Sequence, residues 1–195
     1  MARCPSRQRH VGLREVVLDE MVLTRVAKRN RFIGAFRLSP HGMPPGWKVA
    51  PPKDDAEYFE RMSMAIFTAG LSWEMVEKKW PNFRKAFASF SPEKVARLTE
   101  KDVKTLMGDT GIVRNERKIR ATIHNAGEFV SLKKEFGSFE EYVASFEKDE
   151  GRLQKDLQEK FKHVGGSTAR MFLWSAGYDL TPTTEEKKWM AKNAG

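Results

Sequence analysis

The chain has 195 residues, with 35 Lys and Arg against 26 Asp and Glu, a formal net charge of +9, and 40% hydrophobic content that includes five Trp and thirteen Phe. Such apolar content excludes a disordered chain, and no uncharged apolar run approaches the roughly 20 residues of a membrane helix, so a soluble protein with no membrane partner is expected. The single cysteine, Cys4, excludes an internal disulfide and a structural zinc site built on thiolates, while the cationic balance points to an anionic partner, nucleic acid first.

Residues 1–53 form a distinct basic segment. Met1 to His10 lack the apolar stretch of a secretory signal, so a cytoplasmic protein is expected. Val16, Val17, Leu18, Met21, Val22, Leu23 and Val26 have helical spacing, which predicts one helix between Leu13 and Lys28. Pro40, Pro44, Pro45, Gly46, Pro51 and Pro52 then stop any helix and make residues 39–53 a connector.

From Asp54 onward the chain reads as one all-α domain spanning 54–195. Start and stop signals predict helices near 54–69, 73–87, 92–98, 100–107, 114–136, 139–147, 152–161, 167–176 and 184–193. Ser72 is expected to cap the second of these and Ser91-Pro92 to open the third; Thr99 with Asp102 and Ser138 with Glu141 have capping-box spacing. Gly70, Gly137 and Gly177 stand just past helix ends.

Two short stretches carry the chemistry. At Thr68-Ala69-Gly70-Leu71-Ser72-Trp73 two helices meet at a sharp corner. Leu71 and Trp73 are then either core residues or, beside a glycine that lets a ligand approach, an exposed leucine and a ring placed to stack on something planar. At Lys162-His163-Val164-Gly165-Gly166 a glycine-containing hairpin joins two apolar-periodic helices, the second opened by Ser167 and Thr168. This resembles a helix-hairpin-helix, in which outward backbone N–H groups and a helix N-terminus hold a phosphate without reading a base. Gly165 and Gly166 are expected to permit the turn, and His163 stands where such hairpins often have a glycine.

With corner and hairpin together, Tyr58 to Gly177 resembles the DNA-3-methyladenine glycosylase I family. The resemblance rests on Phe59-Glu60, Ala69 to Trp73, Phe90 to Ala96, Glu100 to Val103, Gly111 to Asn115 with Lys118-Ile119, Asn125-Ala126, Gly137 to Phe139 and the hairpin. It implies a helical bundle of the helix-hairpin-helix glycosylase type that binds double-stranded DNA as a monomer. The implied reaction is hydrolysis of the bond between deoxyribose and an alkylated, 3-methyladenine-like purine flipped out of the duplex, without a cofactor. Gly70 and Leu71 match the wedge that fills the gap in the duplex. Trp73 matches the aromatic that stacks on the extruded base, with Ala65 at a base-pocket position, while Phe67 either lines that pocket or belongs to the core. Lys162, Val164, Gly165, Gly166, Ser167 and Thr168 match the phosphate grip, with Arg114 and Lys118 toward the DNA backbone alongside it.

The chain also departs from the family. The pocket carboxylate is replaced by Ala65, and of the family's zinc ligands only Cys4 remains, so no metal is expected. In the wider superfamily an acid follows the second hairpin helix, and counting from Ala169 reaches Glu185, with Glu186 next. Glu185 is thereby a catalytic candidate, against the alternative that both are first-turn acids favouring a helix N-terminus. The lysine nucleophile of bifunctional members falls at Ser167, so a monofunctional enzyme is implied. The alternative reading is a catalytically lapsed DNA-binding protein. Trp80, Trp174 and Trp189 read as core, and His10, His41 and His124 are too scattered for a metal.

Overall fold

The computed structural model describes residues 50–193, which are helical without a strand among them. The helix expected between Leu13 and Lys28, Cys4 and most of the Pro-rich connector lie outside the described residues.

Asp54 caps α1 (Asp55–Thr68), its carboxylate accepting from Glu57 N at 2.9 Å. Tyr58, Phe59, Met62, Ala65 and Ile66 recur at helical spacing and are buried together. The helix ends where Gly70 turns left-handed at φ 72°. α2 (Trp73–Ala86) follows after three residues and buries Val76, Trp80 and Phe83. Ser72 makes no side-chain capping bond to it. Pro81 lies inside α2 and removes the N–H that would bond to the Glu77 carbonyl.

Beyond α2, Ala88, Ser89 and Phe90 are all left-handed, with φ of 49°, 54° and 55°. Three such non-glycine residues in a row are costly unless packing over-determines them. Phe90 supplies that packing, stacked on Trp80 at 5.2 Å and on Phe87 at 5.7 Å. Pro92 then opens the short α3 (Pro92–Val95); here Ser91 bonds to the Glu93 carboxylate rather than to helix backbone. α4 (Glu100–Gly108) has the expected Thr99–Asp102 capping box.

The long α5 (Glu116–Phe136) is capped by Asn115 and ended by Gly137 at φ 94°. α6 (Phe139–Ala144), α7 (Glu150–Lys160), α8 (Gly166–Ser175) and α9 (Thr184–Asn193) complete the bundle. α1 packs against both α5 and α8, and α7 packs on α8. Two aromatic groups fill the core: Phe67, Trp80, Phe83, Phe87 and Phe90 lie under α2, while Phe129, Phe139, Phe161 and Phe172 lie under the hairpin. Phe59 joins them, 5.9 Å from Phe90 and 5.3 Å from Phe129. The corner and the hairpin are therefore supported from one continuous interior.

Candidate nucleic-acid interface

The corner between α1 and α2 is braced from inside. Thr68 Oγ1 donates to the carbonyls of Met64 at 2.7 Å and Ala65 at 3.2 Å, and Leu71 N donates to Thr68 O at 3.0 Å. Two more carbonyls at this helix end, Phe67 O and Ala69 O, accept from Lys118 Nζ at 3.1 and 2.7 Å. α1 has no basic residue in its own last turn, so Lys118 of α5 supplies the cation that complements its negative end. With the polar backbone tied inward, the Leu71 side chain projects: it is 40% exposed, the exposed large hydrophobic residue among those described. A Cβ at Gly70 would meet nothing within 4 Å, so a partner can approach its backbone. Trp73 follows, half-buried in the first turn of α2.

The hairpin has the same construction. Asn125, fully buried on α5, donates from Nδ2 to Lys162 O at 3.0 Å and accepts from Lys162 N at 2.8 Å. Val164 is buried and anchors the loop, while Lys162, His163, Gly165, Gly166 and Ser167 are exposed. Thr168 is half-buried. Arg170 ties α8 to its neighbours, donating to Glu150 at 2.7 Å and to Glu186 at 2.9 Å. Thr68 Oγ1 lies 3.7 Å from Met171 Sδ on α8, which sets the corner beside the hairpin helix.

Several expectations need correction. Of the two readings of Phe67, core packing is what is seen: it is 0% exposed and lies 4.5 Å from Phe83. Ala65 is likewise buried, at 3%. Lys118 is 8% exposed with its ammonium on the corner carbonyls, so that ammonium is engaged inside the protein; burial lowers its pKa from the ordinary lysine value. The left-handed residue of the hairpin is His163 at φ 59°, whereas Gly165 is extended at φ −82°. The turn is therefore made at His163, and what Gly165 and Gly166 provide is open backbone: a Cβ on Gly165 would meet nothing, and one on Gly166 only Gln158 at 3.7 Å. Arg114 is exposed.

Glu185 is exposed on the first turn of α9. Its neighbour Glu186 accepts from Arg170 and from Thr183 N at 2.6 Å, the role of a helix-capping acid. Trp80 is buried as expected, while Trp174 is only half-buried.

Two residues escaped sequence reasoning. Asn125 gives no local sign of its partner 37 residues away, although a polar residue among the apolar positions of a helix is a signal to seek one. Glu77 stands four residues after Trp73 in α2, half-buried and at the spacing that places it on the same helix face. Desolvation by burial, and then the nearby Glu74, raises its pKa from the ordinary glutamate value.

Among the described residues no three of His, Cys, Asp and Glu converge as metal ligands. No described helix is long and apolar enough to cross a membrane. A cavity of about 550 Å³ opens at the other end of α1, between Asp54, Glu57, Glu60, Arg61 and Arg84. Its charges are engaged with one another, Arg61 with Glu57 and Arg84 with Glu60.

The chain is similar to known proteins. The methyladenine glycosylase family model matches residues 45–177. DNA-3-methyladenine glycosylase 1 of Escherichia coli (strain K12) is 40% identical over 100 residues, covering 51% of this chain and 53% of the relative. The DNA-3-methyladenine glycosylase of Haemophilus influenzae is 33% identical over 96 residues, covering 49% and 52%. The chain thus spans about half the length of the curated relatives it matches. Among solved structures, a 3-methyladenine DNA glycosylase I from Staphylococcus aureus, described for its recognition of 3-methyladenine, superposes with a TM-score of 0.62 at 28% identity, covering 74% of this chain and 92% of that one. With more than half its length inside the family model, and the corner and hairpin both within the matched span, the chain belongs to the methyladenine glycosylase family.

Proposed function

We propose that this chain is a monofunctional DNA glycosylase that releases an alkylated, 3-methyladenine-like purine from duplex DNA, acting as a cytoplasmic monomer through the unit 54–195. The observation that carries the reading is the corner: Leu71 stands out at 40% exposure on the left-handed Gly70, with Trp73 two residues on and the carbonyls of Phe67 and Ala69 tied inward by Lys118. An apolar side chain held out on a rigid bend suits insertion into a base stack, and a ring beside it suits stacking on the base displaced.

In this reaction water adds to C1′ of the deoxyribose, and the base departs with the electrons of the broken C–N bond. A cationic alkylated purine leaves as a neutral molecule and needs no proton from the protein. The ring of Trp73 favours the cationic base by roughly 0.5 to 2 kcal/mol. Leu71 keeps the gap in the duplex closed, and the exposed N–H groups from Gly165 to Thr168, with Lys162 and Arg114, hold phosphates on the flanking backbone. Glu77, one turn past Trp73, is the carboxylate this reading uses to steady the cationic sugar and take the proton of the attacking water. A raised pKa makes it the stronger base.

The test is release of free base from alkylated duplex DNA by the purified protein and its Trp73→Ala variant. The expected result is release by the unaltered protein and a loss on the order of tenfold or more in the variant. Release unaffected by Trp73→Ala would overturn the stacking role. The buried Ala65 in place of the family's carboxylate supports a second reading, a lapsed enzyme that binds damaged DNA. Retained binding with no release from any alkylated substrate would establish it.

A further inference from the structure

Lys118 and Asn125 lie seven residues apart on α5, which returns them to one face of the helix after two turns, ~10 Å along its axis. Both are buried, at 8% and 0% exposure, and both direct their polar atoms at main chain of a distant segment. Lys118 reaches 49 and 51 residues back to the carbonyls of Ala69 and Phe67, and Asn125 reaches 37 residues forward to the N–H and C=O of Lys162. One helix therefore grips the backbone of the corner with one side chain and the backbone of the hairpin with another.

Neither grip is an obvious choice for stability alone. A lysine in the first turn of α5 opposes that helix's own dipole, and its burial is unfavourable without partners. What the arrangement achieves is a fixed separation. A phosphate on one strand and the gap left by an extruded base are set at a definite spacing by the duplex, so a wedge and a phosphate grip act together only if their own spacing matches.

We infer that Lys118 and Asn125 are a pair of positioning residues that use α5 as a ruler, holding the Leu71 wedge at the distance from the hairpin that base extrusion requires. The inference rests on the proposed function for its purpose, while the spacing itself is measurable without DNA. Neither residue touches base or sugar; each acts through the loop it holds.

The experiment places a nitroxide at Lys162→Cys in a Cys4→Ser background and reads paramagnetic relaxation at the Gly70 and Leu71 amides. The measurement is made with Lys118 intact and as Lys118→Met, Lys118→Arg, Asn125→Asp and Asn125→Leu. The methionine keeps the buried stem and removes the donors; arginine retains two donors for the two carbonyls. Lys118→Met and either Asn125 variant are expected to change the relaxation at Leu71, and Lys118→Arg to restore it. Native far-ultraviolet dichroism in each variant separates this from unfolding, and Asn125→Asp, which keeps the acceptor for Lys162 N, serves where Asn125→Leu fails to fold.

With DNA, Lys118→Met is expected to lower affinity for a duplex containing an abasic-site analogue about tenfold while leaving undamaged duplex within about twofold. The Lys118→Met, Asn125→Leu double variant is expected to lose less than the sum of the single losses, because either release already frees the spacing. Unchanged relaxation in folded Lys118→Met and Asn125→Asp would overturn the ruler, as would strictly additive losses. If the unaltered protein released no base, the proposed function would fail while the relaxation data still decided the spacing.

Discussion

The Nζ of Lys118 lies 2.7 Å from the carbonyl oxygen of Ala69, so a lysine of the long helix closes the end of a helix that begins more than sixty residues before it. The ammonium that sequence reasoning directs at DNA is instead bonded to the carbonyls that end α1. Gly70 and Leu71 are therefore held from behind, by the bonds that close the end of α1.

That construction separates two hydrophobic residues four positions apart. Phe67→Ala should cost about 3 to 5 kcal/mol, since it empties a fully buried site against Phe83. Leu71→Ala should stay within about 0.5 kcal/mol, as an exposed residue does. Thermal melts measure both. Base release should fall in Leu71→Ala with the melting temperature unchanged; a large stability loss there would remove Leu71 as the wedge.

Glu77 is a carboxylate whose folded-state pKa is raised, first by desolvation and then by Glu74. Such a group is neutral in both states well below the ordinary value of 4.5, and its charging then lowers stability as pH rises from there through the raised folded value. Glu77→Gln should therefore raise the melting temperature at neutral pH and flatten that part of the pH dependence, while base release drops on the order of tenfold or more. Full activity in Glu77→Gln would eliminate it as the working carboxylate.

Two hairpin substitutions test which residue makes the turn and which meets phosphate. His163→Gly should stabilise the protein by about 1 kcal/mol, because a left-handed φ of 59° suits glycine. Gly165→Pro should fold, since φ of −82° lies close to the angle proline imposes, yet it deletes one outward N–H. Affinity should then fall about tenfold for every duplex sequence tested. A sequence-selective loss in filter-binding or anisotropy titrations would contradict a phosphate role.

Glu186 has a folded-state pKa below its ordinary 4.5: burial alone would raise it, and the Thr183 N–H together with Arg170 outweighs that. A depressed carboxylate contributes stability that is present above its unfolded value and is lost as pH falls through the lowered folded value. Below pH 4.5 the docking of α9 should therefore weaken progressively. Glu186→Gln should cost about 1 kcal/mol at neutral pH and remove that part of the acid dependence, read by amide exchange in α9. An unchanged acid profile would mean that the Arg170 bridge contributes nothing.

The sequence by itself determined the all-α class, nearly every helix end after Asp54, the corner, the hairpin and the family. These follow from local chemistry: Asp54, Thr99 and Asn115 cap the turns they precede, Gly70, Gly137 and Gly177 take left-handed angles, and apolar residues keep a helical period. Tertiary structure alone decided which polar and aromatic residues turn inward. Phe67 and Leu71 are equally apolar in a sequence, and Lys118 and Arg114 equally basic, but packing against Phe83 of α2 buries Phe67 and docking of α5 on the end of α1 buries Lys118, while Leu71 and Arg114 stay exposed. Asn125 and Lys118 act on backbone far along the chain, and Glu77 owes its raised pKa to burial. No periodicity encodes such long-range contacts, because they arise only when separate helices are brought against one another.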